Sequence, residues 1–101
     1  MIARMWHGRV PIEKADAYRA FLNERAVADY RSVAGNISVQ ILERTEGGIA
    51  HFVTLTFWES VEAIRGLAGD DIAVAKYYPE DREFLLEFEP TVTHYEVVGQ
   101  G

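Results

Sequence analysis

Cysteine is absent from the 101 residues, which removes disulfides, thiolate metal ligands and cysteine nucleophiles in one step. No apolar run approaches the ~18 residues of a membrane span. The N-terminal MIARMWHGRV reads as a strand rather than as the charged and apolar regions of a leader. A membrane partner is therefore not expected, and the cytoplasm is the default location. Basic charge is scarce: 10 Lys and Arg stand against 16 Asp and Glu, for a net charge of -6. With no Lys/Arg cluster, the electrostatic footprint that phosphate backbones require is missing, so nucleic acid is excluded as a partner. CxxC, GxGxxG, Walker and Ser-His-Asp patterns are also missing. The three prolines, Pro11, Pro79 and Pro90, fall between patterned segments rather than inside them.

What is present is apolar and aromatic. Hydrophobic residues make up 49% and aromatics 12% of the chain, enough for one domain over residues 1–101 with its own core. The segment His51 to Ser60, HFVTLTFWES, organises the rest. Side chains alternate along a strand, so Phe52, Thr54, Thr56 and Trp58 share one face and His51, Val53, Leu55 and Phe57 the other. Neither face suits water, so the strand should be covered twice.

Before it, Met1 to Val10 reads as a first strand, with Ile2, Arg4, Trp6 and Gly8 on one face. Pro11 opens a helix whose apolar stripe is Ala15, Tyr18, Phe21, Leu22 and Ala26. An unbroken helix would place Arg25 and Asp29 inside that stripe. They therefore pair, or the helix bends or ends near them. Gly35 and Asn36 stop it, and Ile37, Val39 and Ile41 alternate with Ser38 and Gln40 in a second strand ending near Thr45. Glu46, Gly47 and Gly48 form a hairpin into the organising strand. Ser60 caps a helix buried through Val61, Ile64, Leu67 and Ala68. Asp70 or Asp71 starts a second helical piece containing Ile72, Ala75 and Lys76, and Pro79, Glu80 and Asp81 start a short third one. Thr91 to Val98 is the last strand.

Strand, helix, strand, strand, helical region, strand is an α+β order, the ferredoxin-like split βαβ: a four-stranded antiparallel sheet with helices on one face. The first and third strands are then central, and those two are apolar on both faces. A second copy of the chain is the simplest cover for the open face, which predicts a homodimer.

HFVTLTFWES followed by an amphipathic helix, with the strand ending Trp58-Glu59-Ser60, resembles the antibiotic biosynthesis monooxygenase family of dimeric α/β-barrel proteins. The tail Tyr77-Tyr78-Pro79-Glu80-Asp81, Glu89-Pro90 and His94-Tyr95-Glu96-Val97 is similar to uncharacterised members. The resemblance spans nearly the whole chain and implies a pocket between sheet and helices, lined by Trp58. The family includes cofactor-free oxygenases of phenolic polyketides, haem-degrading enzymes and members without known activity. Its haem-degrading branch uses that tryptophan with an axial histidine on the next helix. Here the counted position is Tyr77, no histidine lies between His51 and His94, and the first strand carries no asparagine.

A cofactor-free oxygenase needs a base, a stabiliser for the oxyanion, and flat apolar walls that exclude water. Trp6, Phe52, Trp58, Tyr77 and Tyr78 are the candidate substrate-binding walls for a small aromatic ligand. His94 is the candidate base, since an unperturbed imidazole titrates near neutrality. Arg82, on the short helix after Pro79, is the candidate oxyanion stabiliser, with Arg65 as a further candidate. No metal site is expected: the three histidines lie on three strands, and Glu80, Asp81 and Glu83 suit a helix start. The expected activity is monooxygenation without metal, haem or flavin. A non-catalytic binding domain with the same pocket is the alternative, and a haem protein the third.

Overall fold

β1 (Ile2–Pro11) and β3 (Ile49–Trp58) lie side by side at the centre of the sheet in the computed structural model, which describes residues 1–101. They pair antiparallel from Ile2 opposite Trp58 to Pro11 opposite Ile49. β2 (Asn36–Glu46) flanks β3, and the short β4 (Thr93–Glu96) flanks β1, giving the order β2-β3-β1-β4 with every pairing antiparallel. This is the ferredoxin-like arrangement expected from the element order, with the two doubly apolar strands in the middle. None of its helices is long and apolar enough to cross a membrane.

The alternation in β3 becomes a division of labour. Phe52, Thr54, Thr56 and Trp58 are buried, whereas His51, Val53, Leu55 and Phe57 are only partly covered. Helices cover the first face. After a 3-10 turn at Ile12–Lys14, α1 (Ala15–Phe21) runs through a π-helical turn at Leu22–Ala26 into α2 (Val27–Arg31). The π turn has a geometric cause in the sequence. The buried side chains Tyr18, Leu22, Ala26 and Tyr30 follow one another at steps of four. In a regular α-helix each such step overshoots a full turn by roughly 40°. A wider turn in the middle absorbs the overshoot and keeps all four on the sheet. Arg25 and Asp29 do not pair with each other. Arg25 turns to Glu80 at 2.6 Å and Asp29 to Lys76 at 2.7 Å.

Ser60 caps α3 (Val61–Ala68) as its position suggests: its Oγ accepts from the Ala63 N–H at 3.1 Å. Ile64 and Leu67 are buried, but Val61 is 37% exposed and lies outside the buried face. The second helical piece after Asp70 does not form. Asp71 Oδ1 accepts from the Ala73 N–H at 3.1 Å, a local turn that competes with helix. Val74 then forms a β-bridge with Thr91. From Gly69 to Val92 the chain is thus an irregular strap over the sheet, containing one 3-10 turn, Pro79–Glu83, where a short helix was expected. The last strand is shorter than its sequence pattern, Thr93–Glu96 rather than Thr91 to Val98.

Gly35, at the turn between α2 and β2, has φ of +88°, and a Cβ there would lie 2.4 Å from that of Ala63. Both the left-handed backbone and the contact with α3 require glycine. Gly35→Ala is expected to cost about 1–3 kcal/mol, read as a lower urea midpoint with an unchanged slope.

Candidate functional site

The covered face of the sheet is not uniformly apolar. Arg4, on β1 between Ile2 and Trp6, is only 1% exposed. Its Nη2 donates to the Val74 carbonyl of the strap at 3.2 Å, its Nε has no partner, and no carboxylate pairs with it. Burial pulls the guanidinium below its ordinary pKa, and Tyr30 beside it works the other way. Directly across the β1–β4 ladder stands His94, whose Nε2 is likewise buried without a partner. Burial first, and then the Arg4 charge, lower the His94 pKa, so its ring is neutral at pH 7 and holds a free lone pair. A buried cation and a half-buried base, both with unused hydrogen-bonding capacity, therefore adjoin on neighbouring strands.

Beyond Tyr30, which neighbours Arg4, a cavity of ≈ 10 Å³ lies between sheet, helix and strap; neither Arg4 nor His94 lines it. Aromatic walls come from Trp6, Tyr18, Tyr30 and Tyr78, and polar groups from Thr54, Lys76 and Asp81. The Trp6 Nε1 also lacks a partner. Space of this size holds about one water molecule. An aromatic ring enters only when the strap moves.

The strap is tied down by Tyr78 and Leu85, which join the main core, and by polar contacts. Lys76 Nζ and the Tyr78 hydroxyl both donate to Asp29 Oδ2, at 2.7 and 2.6 Å. The Tyr18 hydroxyl and the Tyr78 N–H donate to the two oxygens of Asp81, at 2.8 and 2.7 Å. The two carboxylates have opposite electrostatics. At Asp81 burial outweighs its donors and raises the pKa. At Asp29 burial is the largest single effect, yet the bonds from Lys76 and Tyr78 together with the nearby cations exceed it, and the pKa is lowered. The phenols of Tyr18 and Tyr78 are pushed up, by burial first and then by these carboxylates.

The residues expected to act together are divided among three places. Tyr77, Tyr78 and Arg82 do meet, in an open depression of ≈ 430 Å³ outside the strap that Pro79 and Phe88 complete. His94 is not among them; it lies inside with Arg4. Trp6 joins the two regions, lining the inner cavity and meeting Tyr77 edge to face at 5.9 Å. Phe52 is core, fully buried and edge-on to Tyr18 at 5.2 Å. Trp58 is packed shut with Tyr30, Ile64 and Leu67, its Nε1 donating to Thr56 Oγ1 at 2.8 Å, and it lines none of the cavities. The Tyr77 hydroxyl donates to the Glu89 carbonyl, and burial, followed by Glu89, pushes its pKa up to about 12. Both effects work against a tyrosinate ligand for haem iron at this position. Arg65 is exposed and pairs with Glu62.

Arg4, Tyr18, Tyr30, Asp29 and Lys76 were not singled out from the sequence as site residues. A signal existed for two of them: Arg4 shares a strand face with Ile2 and Trp6, and Asp29 falls in an apolar helical stripe. Each is a charge on a face that otherwise avoids water.

No known family profile matches the chain, and no curated protein matches it in sequence. Among solved structures, Rv0793 from Mycobacterium tuberculosis superposes with a TM-score of 0.60 at 19% identity, over 98% of this chain and 96% of that one. The likeness extends to the whole fold.

Because the Asp29 pKa is lower folded than unfolded, its stabilisation is present above the unfolded value of ~4 and disappears as pH falls below it. Asp29→Ala should cost about 1–2 kcal/mol at pH 7 and much less at pH 3, measured by urea unfolding at both. Hydrogen exchange at the Ala75 and Val92 amides, which bond the two ends of the strap to each other, should accelerate in the same variant.

Proposed function

We propose that the chain binds a small aromatic metabolite carrying an ionisable hydroxyl between sheet and helices, and oxygenates it without metal, haem or flavin. The observation that carries this reading is the buried Arg4 guanidinium with no carboxylate, set against the unpartnered His94. A buried cation of this kind is costly unless something anionic joins it. A phenolate or enolate does so. The resemblance of HFVTLTFWES and the Tyr77–Asp81 tail to antibiotic biosynthesis monooxygenases supports the same chemistry, and the shared fold of Rv0793 is compatible with it.

In this scheme His94 removes the hydroxyl proton and Arg4 stabilises the oxyanion, the role first given to Arg82. The anion passes an electron to dioxygen, and recombination gives a peroxide at a ring carbon. The peroxide takes the proton back from His94, and loss of water, which carries off the hydrogen on that carbon, leaves a carbonyl. Trp6 and Tyr78 hold the ring, Phe52 and Trp58 support the walls from behind, and Tyr77 with Arg82 forms the approach outside the strap.

A second copy of the chain covers the open face. Val53, Leu55 and Phe57 lie there with Met5, while Leu42 and Tyr95 are 45% and 56% exposed. A two-fold axis lets such a face cover itself. Sedimentation should give a dimer at micromolar concentration, and Leu55→Glu a monomer; a monodisperse wild-type monomer removes the proposal.

Oxygen consumption with anthrones and quinols tests the chemistry. Wild type should turn over, and Arg4→Met and His94→Gln should each lower kcat/KM by about 10²–10³-fold. Saturable binding of the same compounds without oxygen uptake favours a non-catalytic binding domain with this pocket. Neither uptake nor binding across the panel overturns both.

A further inference from the structure

On the opposite face of the sheet, away from the inner cavity, two of the three histidines meet. His7 on β1 and His51 on β3 are diagonal neighbours, since His7 stands opposite Val53 and His51 opposite Arg9. The Nε2 of His7 is 3.0 Å from Nδ1 of His51. The ring centroids are 5.3 Å apart, with planes inclined by 30°. Behind His7, Glu89 Oε2 lies 2.5 Å from Nδ1. A carboxylate accepts, so the His7 proton sits on Nδ1. Its Nε2 then presents a lone pair, and the proton between the rings belongs to His51 Nδ1. Glu89 thus fixes the tautomer and orientation of His7, as a carboxylate behind a metal-binding imidazole does.

We infer that His7 Nε2 and His51 Nδ1 form a two-nitrogen chelate for a tetragonal divalent transition-metal ion, Cu²⁺ before Ni²⁺, with Glu89 as the positioning residue for His7. Two imidazoles in cis positions at ~2.0–2.1 Å from an ion stand about 2.9 Å apart, close to the separation found. The rings now point nearly at each other, as an N–H···N bond requires. Loading the ion turns each ring so that both lone pairs meet at one point. Both side chains are only partly buried and border a groove of ≈ 270 Å³ lined also by Leu42, Glu43, Arg44 and Val53; it lies at the hairpin end of the face proposed above for the second copy, and in the single chain it gives the rings room to turn.

Local charge is mixed, and both neighbouring guanidiniums are paired. Arg9 pairs with Glu87 at 2.7 Å and Arg44 with Glu46 at 2.6 Å, and Glu89 adds a negative charge beyond these two pairs. No further His, Cys, Asp or Glu joins to make a group of three, so water or a small ligand in the groove fills the remaining positions. The ion takes the place of the proton shared by the rings, and that proton moves from Nδ1 to Nε2 of His51, so both imidazoles stay neutral and no proton is released. Imidazole ligands and a tetragonal angle place Cu²⁺ first in the Irving–Williams order.

The test is a Cu²⁺ titration of the untagged full chain with glycine as competitor, followed by calorimetry and electron paramagnetic resonance. Expected are one Cu²⁺ per chain and hyperfine structure from two imidazole nitrogens. His7→Ala and His51→Ala should each weaken binding at least tenfold, and Glu89→Gln about tenfold. His7→Gln and His51→Asn serve as second variants, and only those whose metal-free urea midpoint matches wild type are scored. No saturable binding, or affinity equal to wild type in any of the His7, His51 or Glu89 variants, overturns the inference. Because the readout is metal bound by the chain, its failure is distinguishable from failure of the oxygenase reading, which is measured as oxygen uptake.

Discussion

The long ladder between β1 and β3 determines what every other element can do. Its pleat places Arg4, Trp6, Thr54, Thr56 and Trp58 on the helix side and Met5, His7, His51, Val53, Leu55 and Phe57 on the open side. Because side chains alternate with period two, a slip of one residue would exchange the two sets. The apolar burial of Val10, Ala50 and Phe52 against Tyr18 and Leu22 opposes such a slip. The two sites, one on each face of the sheet, therefore depend on one register.

Around the ladder, the polar groups make the structure less uniform than its core suggests. The strap has little regular secondary structure and is fastened by Tyr78 and Leu85 in the core and by Asp29, Asp81, Glu80, Glu87 and Glu89. Segments held in this way open locally at a lower free energy than a helix or a central strand does. The part that covers the inner cavity is thus also the part most able to uncover it. The π turn at Leu22–Ala26 keeps Tyr18, Leu22, Ala26 and Tyr30 aligned over the same cavity.

Much of the shape was legible in residue order. The alternation of HFVTLTFWES, the Ser60 cap, the Gly35 stop and the Gly47-Gly48 hairpin each rest on local physics, and each occurs where the sequence places it. The segment after Asp70 was read as helical because Ile72, Ala75 and Lys76 have helical spacing. It is not helical, since Asp71 satisfies the backbone locally and Val74 finds Thr91. A local pattern cannot register a bond made to a residue so far along the chain. Trp58 misled in a similar way: an aromatic at the end of a strand looks the same in sequence whether it opens onto a cavity or is closed in by Tyr30, Ile64 and Leu67.

By itself the sequence determined the element order, the twofold apolar character of β3 and hence which strands are central, because those properties come from period and composition. Tertiary structure alone decided that Arg4 faces His94 across a ladder, that Lys76 and Tyr78 converge on Asp29, and that His7 reaches both His51 and Glu89. These are contacts between residues tens of positions apart. Their chemistry arises from burial and mutual distance, which exist only once the sheet has closed around them.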